Sequence, residues 1–169
     1  MLVESDTPET NLRPPITAVV IVDHGSRKPA SNEMLYRATE IFAAQSTYSI
    51  VQPAHMELAQ PDIKTAFRIC VEQGAERVVV FPYFLSPGRH WSEDIPRLVI
   101  EAARPFPDVE WLVTAPFGLH PEMSSIINDR IRHCLEAANG QSAGQLCDVC
   151  DDSNSCKLNR GSQAPAADV

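Results

Sequence analysis

Ala18-Val19-Val20-Ile21-Val22-Asp23-His24-Gly25-Ser26-Arg27 is the stretch on which the reading of this chain turns. Its first five residues are apolar and mostly β-branched, which suits a strand buried on both faces. The run then breaks abruptly into polar residues around a glycine, so His24 stands at the strand's carboxyl end. In open parallel α/β sheets that end is where ligands bind.

Working outward, residues 16–22 read as the first strand and 26–31 as a polar loop containing Pro29. Asn32 is the expected N-cap of a helix through Ala44, with Met34, Leu35, Ala38, Ile41 and Phe42 on one face. Residues 48–56 form a second strand, with Pro53 making it irregular near its end. Pro61 opens a second helix whose face carries Ile63, Ala66, Phe67, Cys70 and Val71, and Gly74 stops it. Residues 77–83 are a third strand, followed by the long loop 84–91. Ser92, Glu93 and Asp94 open a third helix that accommodates Pro96 in its first turns. Residues 109–114 form a fourth strand, and 121–137 a helix with Met123, Ile126, Ile127, Ile131 and Leu135. Four alternations of strand and helix with short connections predict a three-layer α/β domain, a four-stranded parallel sheet flanked by helices. The organisation expected is a flexible segment 1–15, a domain over 16–138 and a cysteine-containing tail over 139–169.

With 44% hydrophobic and 21% charged residues, the 169-residue chain has an ordinary globular composition. A net charge of −8 argues against nucleic acid or anionic membrane as a partner, since both demand excess Lys and Arg. No apolar run approaches the roughly 20 residues that cross a bilayer. Residues 1–15 are acidic and lack an apolar core, so they read as neither a signal peptide nor a transit peptide.

Three groups fall at the ends of strands one to three: Asp23-His24-Gly25-Ser26-Arg27, His55-Met56-Glu57, and Ser86-Pro87-Gly88-Arg89-His90-Trp91. Parallel strands would bring all three to one edge of the sheet. Alone, His24 reads equally well as a loop histidine bonded to a turn, and His90 as a packed or exposed loop residue. Together they are harder to explain by packing, which has no reason to place both there. His55 and Glu57, two apart, are expected to face the same way on an extended strand; Glu57 serves equally well as a cap for the next helix or as a base. Arg27, Lys28 and Arg89 are solvated surface charges by default, or grips for a carboxylate-rich ligand. Phosphate chemistry fits poorly, because neither G-x-x-x-x-G-K-S/T nor G-x-G-x-x-G follows the first strand. The Asp-His-Gly at its end also has an anion where a histidine phosphatase would have arginine.

Five cysteines are unevenly spread: Cys70 sits in a helical pattern, where it reads as core, and Cys134, Cys147, Cys150 and Cys156 crowd the last quarter. The tail from Asn139 is rich in Gly, Ser, Asn and Asp and offers no core to hold them. The clustered set looks more like metal ligands than like a reduced, unliganded tail or adventitious disulfides; four thiolates suit Zn²⁺ or an iron–sulfur cluster, and spacing does not decide between these.

VDHGSR, PAHMELAQP and FLSPGRHW with its following DIP together resemble the short class II chelatases of the sirohydrochlorin cobaltochelatase and ferrochelatase group, with the plant ferrochelatases most alike. The resemblance covers roughly residues 16–156. It implies a chelatase-type α/β domain over 16–138, a homodimer, and metal ligands at His24 and His90. It further implies insertion of Fe²⁺ into sirohydrochlorin, and supports His24 and His90 far better than His55 or Glu57; the chemistry of that reaction, not the resemblance, puts Glu57 forward as an auxiliary base and Arg27, Lys28 and Arg89 on the substrate's carboxylates. A [2Fe–2S] cluster on Cys147, Cys150 and Cys156 is implied as well. Cys134 is the fourth ligand inferred, with a ligand from the dimer partner as the alternative. A chloroplast stroma location follows by the same resemblance, after removal of a transit peptide absent from this sequence. Cobalt insertion, or a non-catalytic metal carrier on the same fold, are the competing readings.

Overall fold

The computed structural model describes residues 13–139 and 147–150. The chain divides into two compact units, one ending at Gly118 and the other beginning at Leu119.

The first unit is built around β1 (Thr17–Asp23), whose five central residues are buried. Its partners are β2 (Ile50–His55), β3 (Arg77–Pro82) and, beyond β3, β4 (Glu110–Val113), in the order β2-β1-β3-β4. Every pairing is parallel, as the alternation of elements predicts. A central strand is covered above and below, which is why β1 reads as an unbroken apolar run and not as an alternation. Ala18, Val20 and Val22 point into the larger core, with Val78 and Val80 of β3. Helices α2 (Ile63–Glu72) and α3 (Ile95–Ala103) close that face with Ile63, Ala66, Phe67, Cys70, Ile95, Val99 and Ala102. Full burial of Phe67 alone contributes on the order of 2–3 kcal/mol. Cys70 is core, as expected, and burial pushes its thiol up to about 12. Val19 and Ile21 face the other way, onto Leu35 of α1 (Pro29–Gln45).

Several local expectations change. Asn32 does not cap α1, which begins earlier because Pro29 suits a first helical position. Its amide instead spans the preceding loop, accepting from Ser26 N at 2.9 Å and donating to Ser26 O at 2.9 Å. On α1 only Leu35 and Thr39 are buried, while Met34, Ile41 and Phe42 stay exposed. Pro53 lies within a regular β2, tolerated because an edge strand needs ladder donors on one side only. Asp62, not Pro61, marks the start of α2: its carboxylate accepts from Thr65 N at 2.8 Å, and hydrogen bonding from the Thr65 side chain first, then from its backbone N–H, holds the Asp62 pKa below the ordinary carboxylate range.

The second unit contains α4 (Glu122–Ala138), where Ile126, Ile127, Ile131 and Leu135 are all exposed, and the turn 147–150. Arg130 grips Asp148 through both guanidinium Nη atoms, one at 2.7 Å. Among the described residues no helix is long and apolar enough to cross a membrane.

Candidate active site

The strand order reverses between β1 and β3, and the crevice outside the carboxyl ends of two such strands is the natural ligand site of an open α/β sheet. The loops after β1, β2 and β3 meet there. His24 follows β1 and His90 follows β3, yet their rings lie 5.3 Å apart, edge to face at 67°. Glu57, just past β2, brings Oε1 to 2.8 Å from His24 Nε2. The three side chains are half exposed, so the cluster opens to solvent.

Backbone pairing prolonged past the strands sets this meeting. Met56 N donates to Asp23 O at 2.8 Å and Glu57 N to His24 O at 3.1 Å, zipping the ends of β1 and β2. Gly25, at φ +81°, lets the chain turn where the strands converge. The turn is tight: a Cβ on Gly25 would stand 2.0 Å from Glu57 O and 3.0 Å from His55 Cβ.

Each imidazole has a defined second partner. His24 Nδ1 lies 3.2 Å from Gly25 O, so both its nitrogens face oxygens. His90 Nδ1 donates to Asp94 Oδ2 at 2.9 Å, leaving Nε2 as its ligating nitrogen. That contact comes from a five-residue π-helical turn, His90–Asp94, that leads into α3. Such turns gather at functional sites, where they re-aim a side chain. Phe84 stacks on the His90 ring at 6.3 Å, and Trp91 Nε1 donates to Thr114 O at 2.8 Å, tying the loop to the end of β4.

His55 departs from expectation. It does not share a face with Glu57, because the chain bends out of β2 directly after it. Its ring is fully buried, and Nδ1 lies 2.6 Å from Asp23 Oδ1. Glu57 is not the helix cap either, since Asp62 fills that role. Arg27 and Lys28 are exposed, and Arg89 reaches Glu93 at 3.3 Å along its own turn. Sequence reasoning missed Asp94 and Asp23 as partners of the histidines. Asp94 had a faint signal, standing four residues after His90, a spacing that meets on one helical face.

Of the cysteines, Cys134 is exposed, and Cys147 and Cys150 are half-buried. The backbone N–H groups of Val149 and Cys150 point at the Cys147 sulfur and lower its pKa, favouring the thiolate. Cys156 lies outside the described residues. Among the described residues no group of three or more His, Cys, Asp or Glu side chains is placed to hold a metal ion.

The family described as CbiX matches residues 18–134. The chloroplastic sirohydrochlorin ferrochelatase of Arabidopsis thaliana is 51% identical over 140 residues, which span 83% of this chain and 61% of that protein. The sirohydrochlorin cobaltochelatase of Methanopyrus kandleri is 29% identical over 140 residues, 71% of this chain and 98% of that protein. Among solved structures, SirB from Bacillus subtilis with Fe³⁺ superposes with a TM-score of 0.66 at 28% identity, covering 69% of this chain and 46% of that one. This chain thus spans 61% of the plant relative's length and under half of the Bacillus one.

Proposed function

We propose, from the premise that this chain belongs to the CbiX family, that it is a lyase inserting Fe²⁺ into sirohydrochlorin to form sirohaem. The observation that carries this reading is the meeting of His24 and His90, 5.3 Å apart, from loops after two different strands. Two neutral imidazoles hold Fe²⁺ firmly enough to present it and loosely enough to release it, which a closed thiolate cage would not. His90 enters with its ligating nitrogen already turned outward by Asp94. Insertion exchanges one Fe²⁺ for the two pyrrole N–H protons: Glu57, beside the metal position, accepts one, and solvent water at the half-exposed cluster takes the other. Arg27, Lys28 and Arg89 grip the substrate's carboxylates by charge-assisted hydrogen bonds; Arg89 exchanges Glu93 for the ligand. Iron is preferred over cobalt on the 51% identity to a plant ferrochelatase.

The tail is assigned a [2Fe–2S] cluster on Cys134, Cys147, Cys150 and Cys156. The donors suit the group, since the turn at 147–150 favours a thiolate at Cys147, the form that ligates. When bound, the cluster supplies a one-electron redox centre and a fastening for the tail. Metal insertion belongs to residues 16–138 and the cysteine segment to 139–169; of the segment 1–15 expected to be flexible, residues 1–12 lie outside the described residues, and Arg13 binds the Glu76 carboxylate. A homodimer is supported by the exposed apolar side chains of α1 and of α4, which no other described element covers. Location in the chloroplast stroma is supported by the plant relative's.

The test is anaerobic loss of sirohydrochlorin absorbance with Fe²⁺, growth of a sirohaem spectrum, and its abolition in His24→Ala and His90→Ala. Unchanged turnover in both variants refutes the site. Brown protein without any turnover would point to a metal carrier, and faster turnover with Co²⁺ to a cobaltochelatase.

A further inference from the structure

One buried polar group takes no part in the chemistry above. His55 is fully enclosed, and its Nε2 has no hydrogen-bond partner among the described residues, an arrangement that costs stability. The Tyr36 ring packs edge-on against it at 5.7 Å. An apolar ring of similar size would fill this space without the orphaned nitrogen, so core packing alone does not account for a histidine here.

Its other nitrogen has a more specific position. His55 and Asp23 are register partners, the last residues of β2 and β1. Nδ1 lies 2.6 Å from Asp23 Oδ1, and the same oxygen accepts from Gly25 N at 2.8 Å. A single carboxylate oxygen thus joins the end of β2 to the turn that aims His24. Gly25 in turn leaves no clearance from the Glu57 carbonyl or from His55 Cβ. His55, Asp23, Gly25 and Glu57 form one packed floor beneath the His24–Glu57 contact.

We infer that His55 is a positioning residue: through Nδ1–H it holds the Asp23 carboxylate on the Gly25 turn, and so fixes His24 against Glu57 for metal. This rests on the reading of His24 as a metal ligand and names a residue that acts on it without touching metal or substrate.

The test uses two amide substitutions in the whole chain, with Co²⁺ alone as the probe, titrated by its visible absorption. In His55→Asn the amide nitrogen falls near the place of Nδ1; in His55→Gln it falls near Nε2. The expected result is Co²⁺ affinity within about threefold of the parent for His55→Asn and at least about tenfold weaker for His55→Gln. Both variants should melt within a few degrees of each other. Equal affinities, or tighter binding by His55→Gln, overturn the inference. Nitrogen NMR of the parent protein gives a reading that needs no variant: a proton on Nδ1 of His55 is required, and a proton on Nε2 alone overturns it. Parent protein that binds Co²⁺ as expected but never metallates sirohydrochlorin would defeat the proposed function and leave this inference standing.

Discussion

Gly25→Ala tests the site's architecture at its narrowest point. The added Cβ would lie 2.0 Å from the Glu57 carbonyl oxygen, where ordinary contact needs roughly 3.2–3.4 Å, so the strand ends must part by about 1 Å or more. A non-glycine residue at φ +81° adds about 1–2 kcal/mol of backbone strain. Parting the strands lengthens the 3.1 Å bond from Glu57 N to His24 O past the useful limit and carries the 2.8 Å His24–Glu57 contact to about 3.8 Å. Losing one such bond and straining the turn gives about 2–4 kcal/mol in all, a fall in melting temperature on the order of 10 °C for a unit of this size. A misplacement of about 1 Å costs roughly 100-fold in turnover. The assays are thermal denaturation by circular dichroism and anaerobic metal insertion into sirohydrochlorin at a temperature where the variant is folded. Full turnover in folded Gly25→Ala, or a crystal structure of it retaining the His24–Glu57 contact, would refute the claim that the packed strand ends set the metal ligand's position.

Asp94→Ala should weaken Co²⁺ binding about 10- to 100-fold with little change in melting temperature, because His90 loses the carboxylate that orients its ring; isothermal titration of the metal-free protein measures it. Asp62→Ala should destabilise the fold by about 1 kcal/mol at neutral pH by removing the α2 cap. Since the folded state lowers this carboxyl's pKa, its contribution is present above the ordinary value of 3.8 and is lost as pH falls through the lowered one. The parent and Asp62→Ala curves of stability against pH should therefore converge in acid. In reduced, cluster-free protein at pH 7, iodoacetamide should modify Cys147 well before Cys70, one thiol lowered by backbone N–H groups and the other buried and raised to about 12; mass spectrometry of timed digests orders them.

Sequence alone settled the class of this protein's fold, because that class depends on short-range periodicity. An unbroken β-branched run at Val19-Val20-Ile21-Val22 suits only a strand covered on both faces, and helical stripes between such runs leave parallel pairing as the solution. The same local logic placed His24, Glu57 and His90 at strand ends. It also put Cys70 in the core, since Cys70 shares a helical face with Ala66 and Phe67.

Which way those residues point was decided elsewhere. Two residues apart on a strand, His55 and Glu57 should have shared a face; the chain's departure from β2 sends one into the core and the other to His24. Met34, Ile41 and Phe42 satisfy a helical stripe yet remain exposed, because the sheet meets α1 mainly at Leu35 and Thr39. The π-helical turn that joins His90 to Asp94 has no period of its own to read. The convergence of His24 with His90 required β1 and β3 to be neighbours, and the order β2-β1-β3-β4 is a matter of contacts between residues some 60 apart in the chain. Periodicity is a property of neighbours along the backbone and is written in the sequence; convergence is a property of neighbours in space, and only the packed sheet creates those.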